Sequence, residues 1–216
     1  MNNKPFAISL DVASSLANKT GSWRTERPVY VDLLPPCAQA CPAGENVQAW
    51  LYDAEAGGDG YRRAWETLVE DNPFPAVMGR VCYHPCESVC NRAELDQAVG
   101  INAVERFIGD LGIEEGWQFP RPLPPTRKRV LVVGAGPSGL SAAYHLARLG
   151  HEVEIRDSGE ETGGMMRYGI PAYRLPRDVL TGELDRIAAM GVLVTCGHAV
   201  EDLVAERQEG SFDAVF

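Results

Sequence analysis

The stretch RVLVVGAGPSG, residues 129–139, joins a short apolar run to a glycine-rich turn. The run predicts a buried β-strand, and residues 138–149 after the turn have the pattern of an α-helix. A second strand is predicted over residues 152–156. This order of strand, turn, helix and strand is typical of the opening of a parallel α/β domain, which we place at residues 128–216.

Three glycines of this turn, Gly134, Gly136 and Gly139, follow the G-x-G-x-x-G pattern. The first allows a tight turn, the second lets the backbone approach a pyrophosphate, and the third lets helix and strand pack closely. Pro137 and Ser138 open the helix, whose free N–H groups and dipole attract phosphates. The turn therefore predicts a Rossmann-type nucleotide site, although the motif does not separate a flavin from a nicotinamide.

Two later features extend the predicted nucleotide site. Asp157 follows the second strand, where an acidic residue usually accepts hydrogen bonds from the ribose hydroxyls. The segment GGMMRYGIPAYRLP, residues 163–176, begins with a double glycine that lets the backbone pass near a ligand. From the residues alone, a turn that binds nothing and a plain surface loop stay open as alternatives.

Five of the six cysteines lie in two short runs, PPCAQACPAG with Cys37 and Cys41, and VCYHPCESVC with Cys82, Cys86 and Cys90. Closely spaced thiolates with a remote fourth ligand are typical of iron–sulfur clusters, and Cys41 is the natural remote ligand. Zinc sites more often have paired C-x-x-C knuckles, and inert buried thiols are a third interpretation. Cys196 stands alone, and we expect it in the core.

The remaining patterns divide the chain into further parts. Residues 1–28 have no clear period and are interpreted as an N-terminal arm, whereas residues 29–117 have helical spacing without a strand pattern. Residues 118–127, QFPRPLPPTR, are rich in proline and predict a stiff linker. Residues 211–216 read as the start of another strand, so we expect this sequence to be the N-terminal part of a longer polypeptide.

Composition excludes several function classes. The 20 basic and 30 acidic residues give a net charge of −10, which is the wrong sign for a nucleic-acid surface. No apolar run approaches the roughly 18–20 residues of a membrane span, and the first residues lack the pattern of a secretory signal. We therefore expect a cytoplasmic protein with reduced thiols and no membrane span.

The motifs occur in an order that resembles one known family. With the PCxxxCP run, the GRVCYHPCESVCNR run, the GAGPSGL turn and the GGMMRYGIPAYRLP segment, the chain resembles the small (beta) subunit of NADPH-dependent glutamate synthase. The N-terminal half of dihydropyrimidine dehydrogenase is similar in layout. The resemblance implies a helical iron–sulfur domain followed by an FAD domain into which an NAD(P)H domain is inserted.

The resemblance also implies roles for individual residues. The glycine turn and Asp157 would hold FAD, with Gly164, Met165 and Arg167 near the flavin, and NAD(P) would bind at a second glycine turn that these 216 residues lack. One [4Fe–4S] cluster would be held by Cys41, Cys82, Cys86 and Cys90.

A neighbouring cluster would take Cys37 and Glu105 as ligands, according to the resemblance. The family has two further cysteines upstream of Cys37, where this chain has residues 29–33, VYVDL. We therefore expect one cluster per chain. The alternatives are two clusters, or a Cys37 that pairs with ligands from a partner chain.

The expected function is electron transfer between NAD(P)H, FAD and a [4Fe–4S] cluster. Because the cofactors carry the chemistry, no acid–base residue is assigned as catalytic. The expected partner is a catalytic subunit, as in glutamate synthase or in 2-oxoacid and aldehyde oxidoreductases, or a ferredoxin-like iron–sulfur subunit. The alternatives are a wiring module without nicotinamide turnover and a pyrimidine-reducing enzyme.

Overall fold

The computed structural model describes residues 35–216, which lie in one compact unit that spans Leu34–Phe216. The predicted arm at residues 1–28 and the segment VYVDL at residues 29–33 lie outside the described part. No helix of the described residues is long and apolar enough to cross a membrane.

The first half of the described chain is helical, as the spacing of apolar residues predicts. Between residues 35 and 117 the structure contains a 3₁₀ turn at Asn91–Glu94 and no strand. The α-helices are α1 Pro36–Ala40, α2 Val47–Glu55, α3 Asp59–Leu68, α4 Pro75–Val81, α5 Pro85–Ser88 and α6 Ile101–Glu114.

Local sequence explains where these helices begin. Proline is the first residue of α1, α4 and α5, where its fixed φ suits the helix and its missing N–H is not needed. The Asn46 side chain caps α2 by accepting a hydrogen bond from the Ala49 N–H at 3.3 Å. The indole rings of Trp50 and Trp65 are fully buried in the core that these helices enclose.

The second half is a parallel α/β structure. Its elements are β1 Arg129–Val133, α7 Pro137–Arg148, β2 Glu152–Arg156, α8 Met165–Tyr168, α9 Arg177–Ala189, β3 Leu193–Thr195, α10 Leu203–Glu209 and β4 Ala214–Val215. The strand order is β3-β2-β1-β4, and every pair is parallel. A helical region followed by a Rossmann-type region confirms the predicted fold class.

The predicted limits of β1 and β2 are confirmed residue for residue, and α7 begins one residue earlier than predicted. The last strand is shorter than the expected run over residues 211–216. Ser211 has a φ of +52° and belongs to the turn after α10, so pairing with β1 starts only at Ala214.

The predicted burial of Cys196 is wrong, because the structure places this residue at the surface. Cys196 follows β3, whose residues are exposed at the edge of the sheet.

The two halves pack tightly against each other. Phe119 stacks on Trp65 with ring centroids 5.7 Å apart and contacts the Tyr144 ring of α7 at 4.5 Å. The proline-rich segment also contacts the α/β region directly, because the Leu123 N–H donates to the Arg148 carbonyl at 2.9 Å. Aromatic pairs of this kind add about 0.5–1.5 kcal/mol beyond the area that they bury.

Candidate iron–sulfur and dinucleotide sites

The glycine turn has the geometry of a pyrophosphate site. Gly134 has a φ of +105°, and a Cβ added to Gly139 would lie 1.9 Å from the Gly134 carbonyl oxygen. These two glycines are therefore required by the fold itself. Gly136 has an ordinary φ of −82°, and a Cβ there would meet no atom within 4 Å. The open space at Gly136, beside the start of α7, fits the close approach of a phosphate group.

The exposed residues Pro137 and Ser138 form the first turn of α7 at this site. Asp157 follows β2 and braces the turn: its carboxylate accepts hydrogen bonds from the Ala135 N–H at 2.5 Å and from the Gly159 N–H at 2.6 Å. A carboxylate has about four lone-pair positions, so Asp157 keeps acceptor capacity for a ribose hydroxyl. The role of Asp157 in binding a nucleotide stays a prediction.

The segment after β2 folds back onto the glycine turn. The Gly163 N–H donates to the Ala135 carbonyl at 2.8 Å, and a Cβ on Gly164 would lie 2.7 Å from the Gly136 Cα. Gly164 therefore lies directly beside the predicted phosphate position. Met165 is 70% exposed next to it.

Arg167 stabilises the same segment through contacts with the loop before it. It forms an ion pair with Glu161 at 2.8 Å and donates to the Thr162 carbonyl at 2.6 Å. These contacts hold the segment in place, so in the described structure the Arg167 guanidinium binds its own loop.

A second site lies beside the first. A cavity of about 300 Å³ is lined by three of the predicted ligands, Cys41, Cys82 and Cys86, and also by the carboxylate residue Glu105. Its apolar wall includes Val47, Phe74, Met78 and Ile101, and two residues of α7, Pro137 and Ser141, complete it. The cysteine cavity and the glycine turn therefore share the first turns of one helix.

The cavity is lined by some of the predicted ligands and not by others. Among the described residues that line the cavity, Glu105 accompanies Cys41, Cys82 and Cys86, whereas Cys37 and Cys90 are not included. Cys37 lies half-buried on α1. Hydrogen bonding from backbone N–H groups, first that of Val99, lowers the pKa of Cys90.

His84 lies in the turn between Cys82 and Cys86 and forms hydrogen bonds within it. It has a left-handed backbone with a φ of +42°, and its N–H donates to Cys82 Sγ at 3.2 Å. Its ring Nδ1 lies 3.2 Å from the Cys82 carbonyl oxygen. Hydrogen bonds to ligand sulfurs are among the features that set the reduction potential of an iron–sulfur cluster.

Burial raises the pKa of the cavity thiols, of Cys86 to about 12, and also that of Cys41 and Cys82. Iron binding must therefore release protons from these thiols. Among residues 35–216, no three Cys, His, Asp or Glu side chains converge closely enough to hold one metal ion.

Two buried carboxyl groups face this cavity, and one amide connects them. Asn72 Nδ2 donates to Glu45 Oε1 at 2.9 Å and to Glu105 Oε1 at 3.0 Å. Burial, followed by the nearby Glu45 charge, raises the pKa of Glu105 to about 9, and burial also raises the pKa of Glu45.

Sequence reasoning missed Glu45, Asn72 and Ser141. Glu45 lies four residues after Cys41, which was a usable signal. Asn72 precedes Pro73, a pair that indicates the end of a helix and gives no signal of a binding site. Nothing in the sequence indicates that Ser141 reaches the cysteine cavity, because that contact depends on how the two halves pack.

Comparisons with known proteins agree with this arrangement. Residues 13–117 match the family described as dihydropyrimidine dehydrogenase domain II, 4Fe-4S cluster. Residues 132–176 match a NAD(P)-binding Rossmann-like domain.

Three curated relatives are similar to most of this chain. The beta subunit of NADP(+)-dependent formate dehydrogenase from Moorella thermoacetica is 35% identical over 204 residues, 84% of this chain and 29% of the relative. The PreT subunit of NAD-dependent dihydropyrimidine dehydrogenase from Salmonella typhimurium is 38% identical, over 76% of this chain and 40% of the relative. The small chain of NADPH glutamate synthase from Bacillus subtilis is 38% identical, over 81% and 36%.

The chain thus spans between 29% and 40% of the length of these relatives. The resemblance to the glutamate synthase small subunit is confirmed, together with the order of the two domains. Over most of its length the chain is therefore similar to NAD(P)-dependent oxidoreductase subunits, and it joins a match to a 4Fe–4S domain of the dihydropyrimidine dehydrogenase type to a match to a Rossmann-like nucleotide-binding domain.

Proposed function

We propose that this chain is the electron-relay part of an NAD(P)H-linked oxidoreductase subunit, holding FAD at the glycine turn and a [4Fe–4S] cluster in the cysteine cavity. When bound, FAD exchanges electron pairs with a nicotinamide and the cluster carries single electrons. The observation that carries the proposal is the shared helix: Pro137 and Ser141 of α7 line the cysteine cavity, and the same helix begins at the glycine turn.

Different residues of the chain would bind the nucleotide and surround the cluster. Gly134 and Gly136 leave the backbone open to the pyrophosphate, and the N-terminal N–H groups of α7 point at it. The apolar cavity wall excludes water from the cluster, and the His84 N–H donates to a ligand sulfur. We assign no proton transfer to any side chain.

The ligand set is part of the proposal. We propose Cys41, Cys82, Cys86 and Cys90 as the four ligands, as the resemblance implies, and the first three of them line the cavity. Glu105 also lines the cavity, and the resemblance assigns it with Cys37 to a neighbouring cluster. Cys37 thus remains available for a second cluster or for a partner chain.

The partner and the location are also proposals. We propose a separate catalytic subunit as the electron acceptor or donor, and a cytoplasmic location, where thiols stay reduced for cluster assembly. A second candidate is the supply of electrons to a pyrimidine-reducing partner, because residues 13–117 match a dihydropyrimidine dehydrogenase domain and one relative is a subunit of that enzyme.

The first experiment measures iron, acid-labile sulfide and flavin in the anaerobically purified, full-length protein. Cys86→Ala should lose cluster iron and keep flavin. Gly136→Ala should fold normally, because the added Cβ meets no atom within 4 Å, and yet lose flavin. Cys196→Ala, at an exposed thiol that does not line the cavity, is the matched control and should keep both iron and flavin. Zinc in place of iron, or flavin retained by Gly136→Ala, would refute the assignment.

A second pair of variants tests the ligand set. Cys90→Ala should lose cluster iron or yield the three-iron form of the cluster, which electron paramagnetic resonance detects. Glu105→Ala should keep the iron that Cys86→Ala loses. The opposite pattern would make Glu105, which lines the cavity, the fourth ligand. Oxidation of NADH and NADPH with an artificial electron acceptor then tests whether the protein turns over a nicotinamide. A protein that contains flavin and cluster but oxidises neither nucleotide would be a wiring module.

A further inference from the structure

Glu87 lies in the loop that carries three of the predicted cluster ligands, directly after Cys86. Its backbone contacts both sides of this loop: the Glu87 N–H donates to the His84 carbonyl at 3.0 Å, and the Glu87 carbonyl accepts from the Cys90 N–H at 3.2 Å. The His84 N–H in turn donates to Cys82 Sγ at 3.2 Å. The position of Glu87 is therefore tied to the positions of all three cysteines.

The Glu87 side chain fastens this loop to α6. Its carboxylate accepts a hydrogen bond from the Asn102 N–H, in the first turn of α6, at 2.8 Å. The first N–H groups of a helix have no partner within the helix, and the helix dipole favours a negative group there.

Asn102 also contacts the other flank of the loop. Its side-chain Nδ2 donates to the Met78 carbonyl at 3.2 Å, and the same carbonyl accepts from the Cys82 N–H at 2.9 Å. The start of α6 is therefore connected to the chain just before Cys82 and, through Glu87, to the chain just after Cys86.

The Glu87 carboxylate is also a charge close to the predicted ligands. Its side chain is only 23% exposed, and its Oε2 lies 3.7 Å from His84 Nε2. Burial and, after it, the Glu87 charge raise the pKa of Cys86 to about 12. Net charge is among the features that set the reduction potential of an iron–sulfur cluster. A nearby carboxylate favours the oxidised form, because reduction adds a negative charge.

We propose that Glu87 is a positioning residue of the cluster site with two separable effects. Its hydrogen bond to α6 holds the cysteine loop in place for the cluster, and its charge lowers the reduction potential of that cluster. Glu87 itself binds no iron. This inference rests on the proposed function, since it needs a cluster bound by the cysteine loop.

Glu87→Gln tests the effect of the charge. Glutamine keeps an acceptor oxygen for the Asn102 N–H and removes the negative charge, so the cluster should stay bound while its reduction potential rises. At a fixed potential the ratio of reduced to oxidised cluster should rise about tenfold, which is about 59 mV for a one-electron couple.

Glu87→Asp tests the effect of the hydrogen bond. Aspartate keeps the charge but is one methylene shorter, so it no longer reaches the Asn102 N–H. Retention of iron against a chelator should weaken by about 10- to 100-fold, the usual effect of losing an outer group that orients metal ligands. The potential of the cluster that remains bound should stay at the wild-type value.

The measurements are an anaerobic redox titration followed by electron paramagnetic resonance and the release of iron to a chelator, both on the full-length, flavin-loaded protein. Glu94→Gln is the matched control, because it removes the same charge from the exposed turn just after Cys90, where solvent and salt screen that charge. It should match the wild type in both measurements. Flavin content should stay unchanged in every variant.

Three results would overturn the proposal. The first is a wild-type potential in Glu87→Gln, and the second is wild-type retention of iron in Glu87→Asp. The third is a joint loss of iron and flavin in both variants, which is the result of a merely structural role. Because glutamine has the shape of glutamate, Glu87→Gln should fold even if Glu87→Asp does not, and its potential then decides.

Failure of this inference can be distinguished from failure of the proposed function. If the wild type itself holds no iron, the proposed function fails. An iron-loaded wild type whose two Glu87 variants match it in potential and in retention of iron refutes this inference alone.

Discussion

The crossing of α4 and α6 gives a sharp test of how packing builds the cluster site. Helix α4 leads into Cys82, and α6 carries Glu105. The two helices meet through glycine: a Cβ on Gly109 would lie 2.3 Å from the Ala76 N, and one on Gly79 would lie 2.4 Å from the Arg106 Cα. Both obstructing atoms belong to the backbone, so no side-chain rotation can relieve the overlap.

Gly109→Ala should therefore destabilise the protein even though alanine favours a helix. Ordinary contact begins near 3.4 Å, so the helices would have to separate locally by about 1 Å. Overpacking of this kind costs about 3 kcal/mol, and the gain in helix propensity returns about 1 kcal/mol. We expect a net loss of about 2 kcal/mol in the free energy of unfolding.

The assay is urea unfolding of the wild type and the variant, together with iron per chain. Because α4 leads into Cys82, a shift of this helix should displace a predicted cluster ligand, so iron content should fall with stability. Gly100→Ala is the control: a Cβ there has its nearest neighbour at 3.9 Å, and the change should stay within about 1 kcal/mol. A Gly109→Ala protein that equals or exceeds the wild type in stability and iron would show that this crossing does not control the site.

Two further predictions concern buried carboxyl groups. Glu183→Ala leaves the Ala76 and Val77 N–H groups without an acceptor and should cost about 3–5 kcal/mol in urea unfolding; Glu183→Gln, which keeps one acceptor, should cost less, and equal stability of both variants to the wild type would contradict this. Burial raises the pKa of Glu183 to about 8 and that of Glu105 to about 9. In the iron-free protein each folded carboxyl keeps a proton that the unfolded chain has lost above its ordinary value of 4.5. Stability should therefore fall as pH rises from about 5 to 8, by at most about 1.4 kcal/mol per pH unit and group; a rise over that range would show that both groups are ionised in the fold.

Local patterns predicted the elements that depend on neighbouring residues. The limits of β1 and β2, the start of α7 within one residue, and the helical character of the first half follow from apolar spacing, proline and glycine. The glycine turn was predictable for the same reason, since Gly134 needs a positive φ and Gly139 needs close contact with its own turn. The two-residue β4 was overestimated because the turn at Ser211 has no strong sequence signal.

The partners of the cavity could not be predicted in this way. Spacing groups Cys90 with Cys82 and Cys86, and that grouping stays a prediction, since Cys90 follows the end of the short α5 and is not among the residues that line the cavity. Glu105 enters from α6, and Asn72 enters from the segment between α3 and α4. Their meeting depends on how these helices pack, which residue spacing does not encode.

The amino-acid sequence was enough to identify cysteine runs of iron–sulfur type and a strand, glycine turn and helix for a dinucleotide, because thiol spacing and backbone freedom are local properties. The packed fold was needed to establish that both sites share α7, that Glu105 rather than Cys90 lines the cavity, and that Asn72 connects two buried carboxyl groups. These features arise because burial and hydrogen bonding join segments that are far apart in the chain. Here that packing depends on Gly79 and Gly109 at one helix crossing and on Tyr144 and Glu183 across the two halves.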